Sequence, residues 1–138
     1  INEVEKHYKI SDKDIFCLVD ANRPLVDKDI YSKVIHGASK HNMCCPAKPL
    51  VDGVGLVDGD KLIEIPEKSN LISIQTPEAF NLSMFNKIFD KVAHANKLGI
   101  AEIFIEEGVT PNIIQGNHKT YKVTYPGDLL VIEALSNT

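Results

Sequence analysis

The stretch Ile15-Phe16-Cys17-Leu18-Val19-Asp20-Ala21-Asn22-Arg23-Pro24 decides how the rest of the chain is read. Five apolar residues of β type in an unbroken run predict a strand covered on both faces, the habit of parallel sheets in α/β folds. Asp20 then stands at the carboxyl end of that strand, where open α/β sheets place ligands. Beyond it, Asp27 can cap a helix in which Ile30, Val34, Ile35 and Ala38 recur at helical spacing and which ends in Lys40-His41-Asn42. Together these make one β-α unit.

Working outward, Cys44 to Val51 is a second apolar stretch, and Pro46 and Pro49 within it predict an edge or irregular strand, because proline has no N–H for a ladder. Asp52-Gly53 and Asp58-Gly59-Asp60 are turn signals around Val54 to Val57 and Leu62 to Ile65, which predicts a β-hairpin. Leu71 to Ile74 reads as a strand running into Gln75-Thr76-Pro77. Asn81 can then cap a helix carrying Phe85, Ile88, Phe89, Val92 and Ala95 on one face, with Gly99 as its end. Asn112 to Gly116 and Tyr121 to Thr124 read as short strands, and Pro126-Gly127-Asp128 opens a last helix through Leu129, Ile132 and Leu135. No repeat or low-complexity tract interrupts this order, so residues 1–138 are expected to pack as one domain.

Composition narrows the function. A chain of 138 residues, 43% hydrophobic and 25% charged, can bury a core of its own. Its formal charge of −4, with 15 Lys and Arg scattered along it, offers no basic stripe for a nucleic-acid backbone, which leaves small ligands as the expected partners. No apolar run approaches the roughly 18–20 residues of a membrane span, and no signal-like apolar core lies near the start, so the cytoplasm is the expected compartment. The three cysteines make no disulfide framework. His36, His41, Cys44 and Cys45 lack the spacing that closes a tetrahedral metal site, and reduced, buried thiols at a strand start are expected instead. The chain opens on Ile1 and a helix-like polar stretch, which suggests a fragment with an upstream segment removed.

Four residues stand out as candidates for chemistry. Asp20 can hold a magnesium ion bridging phosphate oxygens, and Arg23, set in an extended turn by Pro24, can offer its planar fork to a phosphate. A turn salt bridge between the two is the plainer reading. Thr76, placed by Pro77, can face the strand ends with its hydroxyl, although Thr76-Pro77-Glu78 also reads as a helix start. Lys122, between Tyr121 and Val123, can neutralise charge developing in a phosphoryl transfer or simply sit solvated at a strand end. Lys48, Lys61, Lys119 and the histidines read as solvent-facing.

Three words, Asp20-Ala21-Asn22-Arg23-Pro24, Thr76-Pro77-Glu78 and Lys122-Val123-Thr124-Tyr125-Pro126-Gly127-Asp128, resemble in type and order the signatures of the cytidylyltransferases that act on 2-C-methyl-D-erythritol 4-phosphate or ribitol 5-phosphate. The likeness runs from about Asp12 to Leu135, and Gly108 and Gly116 fall in step with it. The resemblance implies an α/β, Rossmann-like fold of the nucleotide-diphospho-sugar transferase kind: a mixed, mostly parallel sheet flanked by helices, with a protruding β-hairpin arm at 52–73. It implies transfer from CTP to a polyol phosphate with Mg2+, releasing pyrophosphate, and a homodimer interlocked through the arm. Asp20 would be the metal and substrate carboxylate, Arg23 a ligand of the substrate phosphate, Lys122 the residue that neutralises the α-phosphate, and Thr76 part of the pocket wall. Lys68 and Asp52, on the arm, would bind the polyol phosphate of the partner subunit's pocket.

The departures from the family pattern are specific. Val19 replaces a histidine, Asp52-Gly53 an Asp-Thr pair, and Lys68 an arginine. Glu78 replaces a glutamine, Leu98-Gly99 a Thr-Asp pair, and Thr120-Tyr121-Lys122 an Asn-Ile-Lys word. The family's glycine-rich triphosphate loop is not found in these residues, so on this reading the isolated chain is expected not to catalyse alone. The alternative is a drifted relative that retains the fold and the arm as a non-catalytic dimerisation or regulatory module.

Overall fold

The computed structural model describes residues 2–92 and 99–137. After a short helix α1 (Asn2–Glu5), the chain runs through β1 (Ile15–Leu18), α2 (Lys28–His41), β2 (Met43–Pro49), β3 (Leu56–Asp58) and β4 (Lys61–Glu64). It continues through β5 (Ile72–Ile74), β6 (Glu78–Asn81), α3 (Leu82–Val92), α4 (Ile100–Glu106), β7 (Asn112–Gln115) and α5 (Asp128–Ser136).

The main sheet is built round β2. On one side it pairs antiparallel with β6, through Met43 and Cys44, and then with β5, through Ala47 to Pro49. On the other side β7 lies parallel to it, and β1 joins the sheet antiparallel on the far side of β6. The α/β architecture, the mixed sheet and the separate β3–β4 hairpin match the expectation. The expectation of mostly parallel pairing is corrected: among the described residues β2 with β7 is the parallel pair, because the chain returns from β1 and β2 through β6, which runs against both. The apolar run at β1 is partly exposed rather than covered on both faces, with Leu18 and Val19 open to solvent.

Pro46 and Pro49 sit in the central strand rather than at an edge. Alternation along β2 turns the backbone of Pro46 towards β5 and β6, and its carbonyl accepts from Gln75 N at 2.9 Å. Its missing donor falls at the junction between those two strands, where the Thr76–Pro77 bond is cis. Pro49 lies at the strand's end, past its β7 partners. A proline is tolerated where no ladder bond is forfeited.

Period-2 alternation in β2 also divides the core. Met43 and Cys45 point to one face and pack with Phe80, Phe85, Ile88, Ala101 and Phe104 beneath α3 and α4. Cys44 points to the other, against Val34, Ala38 and Ala79 under α2. Each fully buried side chain of Phe104 or Ile30 size contributes about 1.5–3 kcal/mol through water release. Cys44 and Cys45 are free, buried thiols, as expected, and burial, with Glu78 and Cys44 adding to it, pushes the Cys45 pKa up to about 12.

The helix ends follow local chemistry. Asp27 Oδ1 accepts from Ile30 N at 3.1 Å to cap α2, Asn42 ends it in the left-handed region at φ 67°, and Asn81 Oδ1 accepts from Met84 N at 3.2 Å to cap α3. Glu78 begins a strand, not a helix. Gly99 is the residue before α4, a helix the pattern did not announce, and Ala95 lies outside the described residues. Tyr121 to Thr124 is a loop: Val123 N donates to Asn22 O, and Thr124 N and Tyr125 N donate to Asp128 Oδ2, so no ladder claims them. No helix among the described residues is long and apolar enough to cross a membrane.

Candidate functional site

Past the end of β1 the chain turns tightly, Arg23 N donating to Asp20 O at 3.1 Å, and this brings both side chains over the junction of β5 and β6. Thr76 occupies that junction. Its hydroxyl oxygen accepts from Asp20 N and from Arg23 Nε, each at 3.0 Å, which leaves its hydrogen to donate to a ligand. Arg23 Nε also donates to Asp20 Oδ2 at 3.1 Å, and its Nη1 donates to the carbonyl of Thr120. From the loop after Thr120, Lys122 Nζ reaches the same Asp20 Oδ2 at 3.1 Å.

Asp20, Arg23, Thr76 and Lys122, from three separate stretches of sequence, thus meet at one cavity of about 410 Å3, which Gln75 and Glu78 also line. The plain turn salt bridge between Asp20 and Arg23 exists, but it is one edge of this larger cluster. Partial burial pushes the Asp20 pKa up, and the hydrogen bonds and charges of Lys122 and Arg23 outweigh it, holding the carboxyl below its usual range. The Arg23 side chain is only 8% exposed, against 43% for Lys122. One cation is therefore buried and the other half-exposed.

Among the described residues no group of three or more His, Cys, Asp and Glu side chains could cage a metal. Asp20 supplies one hard carboxylate at the cavity, and the remainder of a Mg2+ shell would be phosphate oxygens and water. That fits the manner in which Mg2+ is held by one or two carboxylates together with substrate.

Lys68 and Asp52 do not line this cavity. Both lie near the base of the arm, where Lys68 Nζ donates to Val51 O at 2.8 Å and Asp52 is exposed. Of the three lysines read as solvent-facing, Lys61 is exposed on β4 and Lys119 lies 3.4 Å from Asp27 Oδ2. Lys48 is half-buried and lines a second cavity with Arg23 and Lys122, which corrects that reading.

Three positions escaped the sequence reading. Glu78, 5% exposed, faces the cavity and accepts from Ile100 N at 3.2 Å and Ala101 N at 3.4 Å, capping α4 from another element. Burial raises its pKa and the Asp20 charge raises it further, against the lowering effect of those two backbone donors. Thr120 and Gln75, both buried, share a 2.6 Å hydrogen bond that holds the Thr120 carbonyl under Arg23. The available signal was Glu78 standing where the resemblance expects glutamine, together with Gly99 standing where it expects aspartate.

A family model for 2-C-methyl-D-erythritol 4-phosphate cytidylyltransferase matches residues 3–137. The enzyme of that name from Halalkalibacterium halodurans is 30% identical over 129 residues, covering 91% of this chain and 56% of the relative. Ribitol-5-phosphate cytidylyltransferase from Lactiplantibacillus plantarum is 25% identical over 138 residues, covering 98% and 59%. The crystal structure of the Francisella tularensis 2-C-methyl-D-erythritol 4-phosphate cytidylyltransferase superposes with a TM-score of 0.84 at 21% identity, over 96% of this chain and 64% of that one, and so shares the fold. The chain thus spans little more than half the length of the relatives it matches. With the site words in the family's order and nearly every residue inside the family match, the chain belongs to the 2-C-methyl-D-erythritol 4-phosphate cytidylyltransferase family.

Proposed function

We propose that Asp20, Arg23, Thr76 and Lys122 form the phosphoryl-transfer centre of a cytidylyltransferase that joins CTP to a polyol phosphate, either 2-C-methyl-D-erythritol 4-phosphate or ribitol 5-phosphate. The products are a CDP-polyol and pyrophosphate. The observation that supports this most is the sharing of one Asp20 oxygen by two cations beside the Thr76 hydroxyl. In the reaction, an oxygen of the polyol phosphate attacks the α-phosphorus of CTP, the bond to the α–β bridging oxygen breaks, and pyrophosphate leaves. No covalent intermediate on the protein is needed, so positioning and charge carry the catalysis.

Lys122, on its half-exposed stem, supplies positive charge to the α-phosphate oxygens as they gain charge. Arg23, buried and triply anchored, holds its fork in one plane and orients phosphate. Asp20 keeps both cations in place and is the carboxylate that would bind Mg2+, which when bound would screen the phosphate oxygens. The loss of a hydroxyl at Gly53 and of a bidentate fork at Lys68 weakens recognition of the acceptor on the arm. A homodimer completes the reading, with Lys68 and Asp52 serving the partner subunit's pocket. A non-catalytic module is disfavoured, since a merely structural chain has no need of a four-residue polar cluster facing a cavity.

Full-length protein mixed with CTP, Mg2+ and each polyol phosphate should yield the matching CDP-polyol and pyrophosphate, followed by phosphorus NMR. No product with either acceptor, together with no heat of CTP binding in calorimetry, would overturn the reading.

A further inference from the structure

Beside the first cavity lies a second, also of about 410 Å3, which shares Arg23, Gln75 and Lys122 with it and adds Lys48, Tyr121 and Asp128. Lys48 comes from the end of β2, opposite Ser73 of β5. Burial lowers its pKa, and the nearby Arg23 charge lowers it further. Among the described residues the one carboxylate lining this cavity is already hydrogen-bonded: Asp128 Oδ1 accepts from Tyr121 Oη at 2.9 Å, and Oδ2 accepts from Thr124 N and Tyr125 N, each at 2.8 Å. Among the described residues, Lys48, Arg23 and Lys122 thus set three positive charges against the two carboxylates Asp20 and Asp128. A half-buried ammonium near another cation is unfavourable in the empty cleft and becomes favourable when an anion enters.

The backbone beside this side chain is cut back to glycine at Gly116. A Cβ at Gly116 would lie 3.4 Å from Lys48 Cγ and 3.3 Å from the Ala47 carbonyl, and would collide with Gln75 Oε1. The bare glycine leaves room for the Gln75 amide, and the lysine stem passes beside it at van der Waals distance. That amide accepts from Thr120 Oγ1, and the Thr120 carbonyl in turn accepts from Arg23, so Lys48 and Arg23 rest on one hydrogen-bonded frame.

We infer that Lys48, with Arg23 and Lys122, forms a subsite for a dianionic phosphomonoester, and that Lys48 is a positioning residue for the acceptor. This rests on the transfer reading above. In it, the acceptor phosphate lies between the second cavity and the α-phosphate of CTP, with Lys122 common to both. Lys48 adds the cation that keeps the acceptor side net positive once Asp20 has drawn on the other two.

The test uses Lys48→Met, which retains the stem against Gly116, and Lys48→Arg, which retains the charge. Titration with inorganic phosphate should shift the backbone amide resonances of Ser73 and Tyr121, with about tenfold weaker affinity in Lys48→Met and near wild-type affinity in Lys48→Arg. In turnover, Lys48→Met should raise KM for the polyol phosphate about tenfold, with a smaller change in kcat and none in KM for CTP. Phosphate affinity and acceptor KM both unchanged in a folded Lys48→Met would overturn the inference while leaving the transfer reading intact. Lys48-dependent phosphate binding without product from any acceptor would support the subsite and count against the transfer reading instead.

Discussion

Lys122 and Glu78 show how much a single side chain carries here. Lys122→Ala in the full-length protein removes an oriented charge from the transition state and should cost about 2–4 kcal/mol in turnover, as loss of comparable preorganised donors does. Unchanged kcat would remove Lys122 from the mechanism. Glu78→Ala strands the N–H groups of Ile100 and Ala101 and should destabilise the fold by about 1–3 kcal/mol in urea unfolding, whereas Glu78→Gln, which keeps one acceptor oxygen, should cost less. Asp20 and Glu78 also titrate with opposite consequences. Glu78 has a raised native pKa, so the folded state binds its proton first and stability rises as pH falls from neutrality through that raised value towards its ordinary 4.5. Asp20 has a lowered native pKa, so its contribution is present above its ordinary 3.8 and is lost as pH falls through the lower folded value. Unfolding followed from pH 7 downward past 3.8 should show the Glu78 limb and then the onset of the Asp20 limb, and Glu78→Gln should lack the first. A Glu78→Gln profile identical to wild type would contradict the assignment.

At the scale of elements, the caps written into the local sequence behave as read, while α4 takes its cap from elsewhere. Asp27 and Asn81 hold their helices by contacts within three residues. Gly99 provides no side-chain cap for α4, and a carboxylate on β6 does so across 22 residues. No local pattern contains that partner. The packing of α2 on β2 is similarly non-local. Gly37 is buried in α2, and an added Cβ there would lie 2.8 Å from Cys44 Cβ and closer still to its Sγ. Gly37→Ala gains about 1 kcal/mol of helix propensity but must push α2 off the sheet, and the balance should be a net loss of about 1–2 kcal/mol, measured by thermal or denaturant unfolding. A stabilised Gly37→Ala would show that α2 and β2 have slack.

For the whole molecule, the arm is the feature that a single chain leaves unexplained. Val57, Leu62, Ile63 and Ile65 are each more than 60% exposed on or just past a hairpin that, among the described residues, pairs β3 with β4 and no third strand. An isolated hairpin is marginal in water, and clustered exposed apolar side chains mark an interaction surface. The proposed homodimer covers them. Sedimentation should therefore report a dimer for the full-length protein, and Ile63→Asp should shift it to monomer and raise KM for the polyol phosphate, since Lys68 and Asp52 would no longer reach the partner subunit's pocket. A wild-type protein that sediments as a monomer would exclude the interlocked arm.

The ends of β1, β4 and β7, the caps of α2 and α3, the hairpin and the order of the site words were legible along the chain, because each depends on residues within a few positions: apolar runs, turn formers, and side chains that bond their own backbone. The placement of β2 at the centre of the sheet, the antiparallel return of β6, the Glu78 cap and the half-buried Lys48 were not. Each depends on which distant segment lies alongside, and packing decides that. Local sequence supplied Asp20, Arg23, Thr76 and Lys122 as polar side chains at the ends of apolar runs; only the closing of β1, β2, β5 and β6 into one sheet, with the Thr120 loop folded against it, brought them to one cavity.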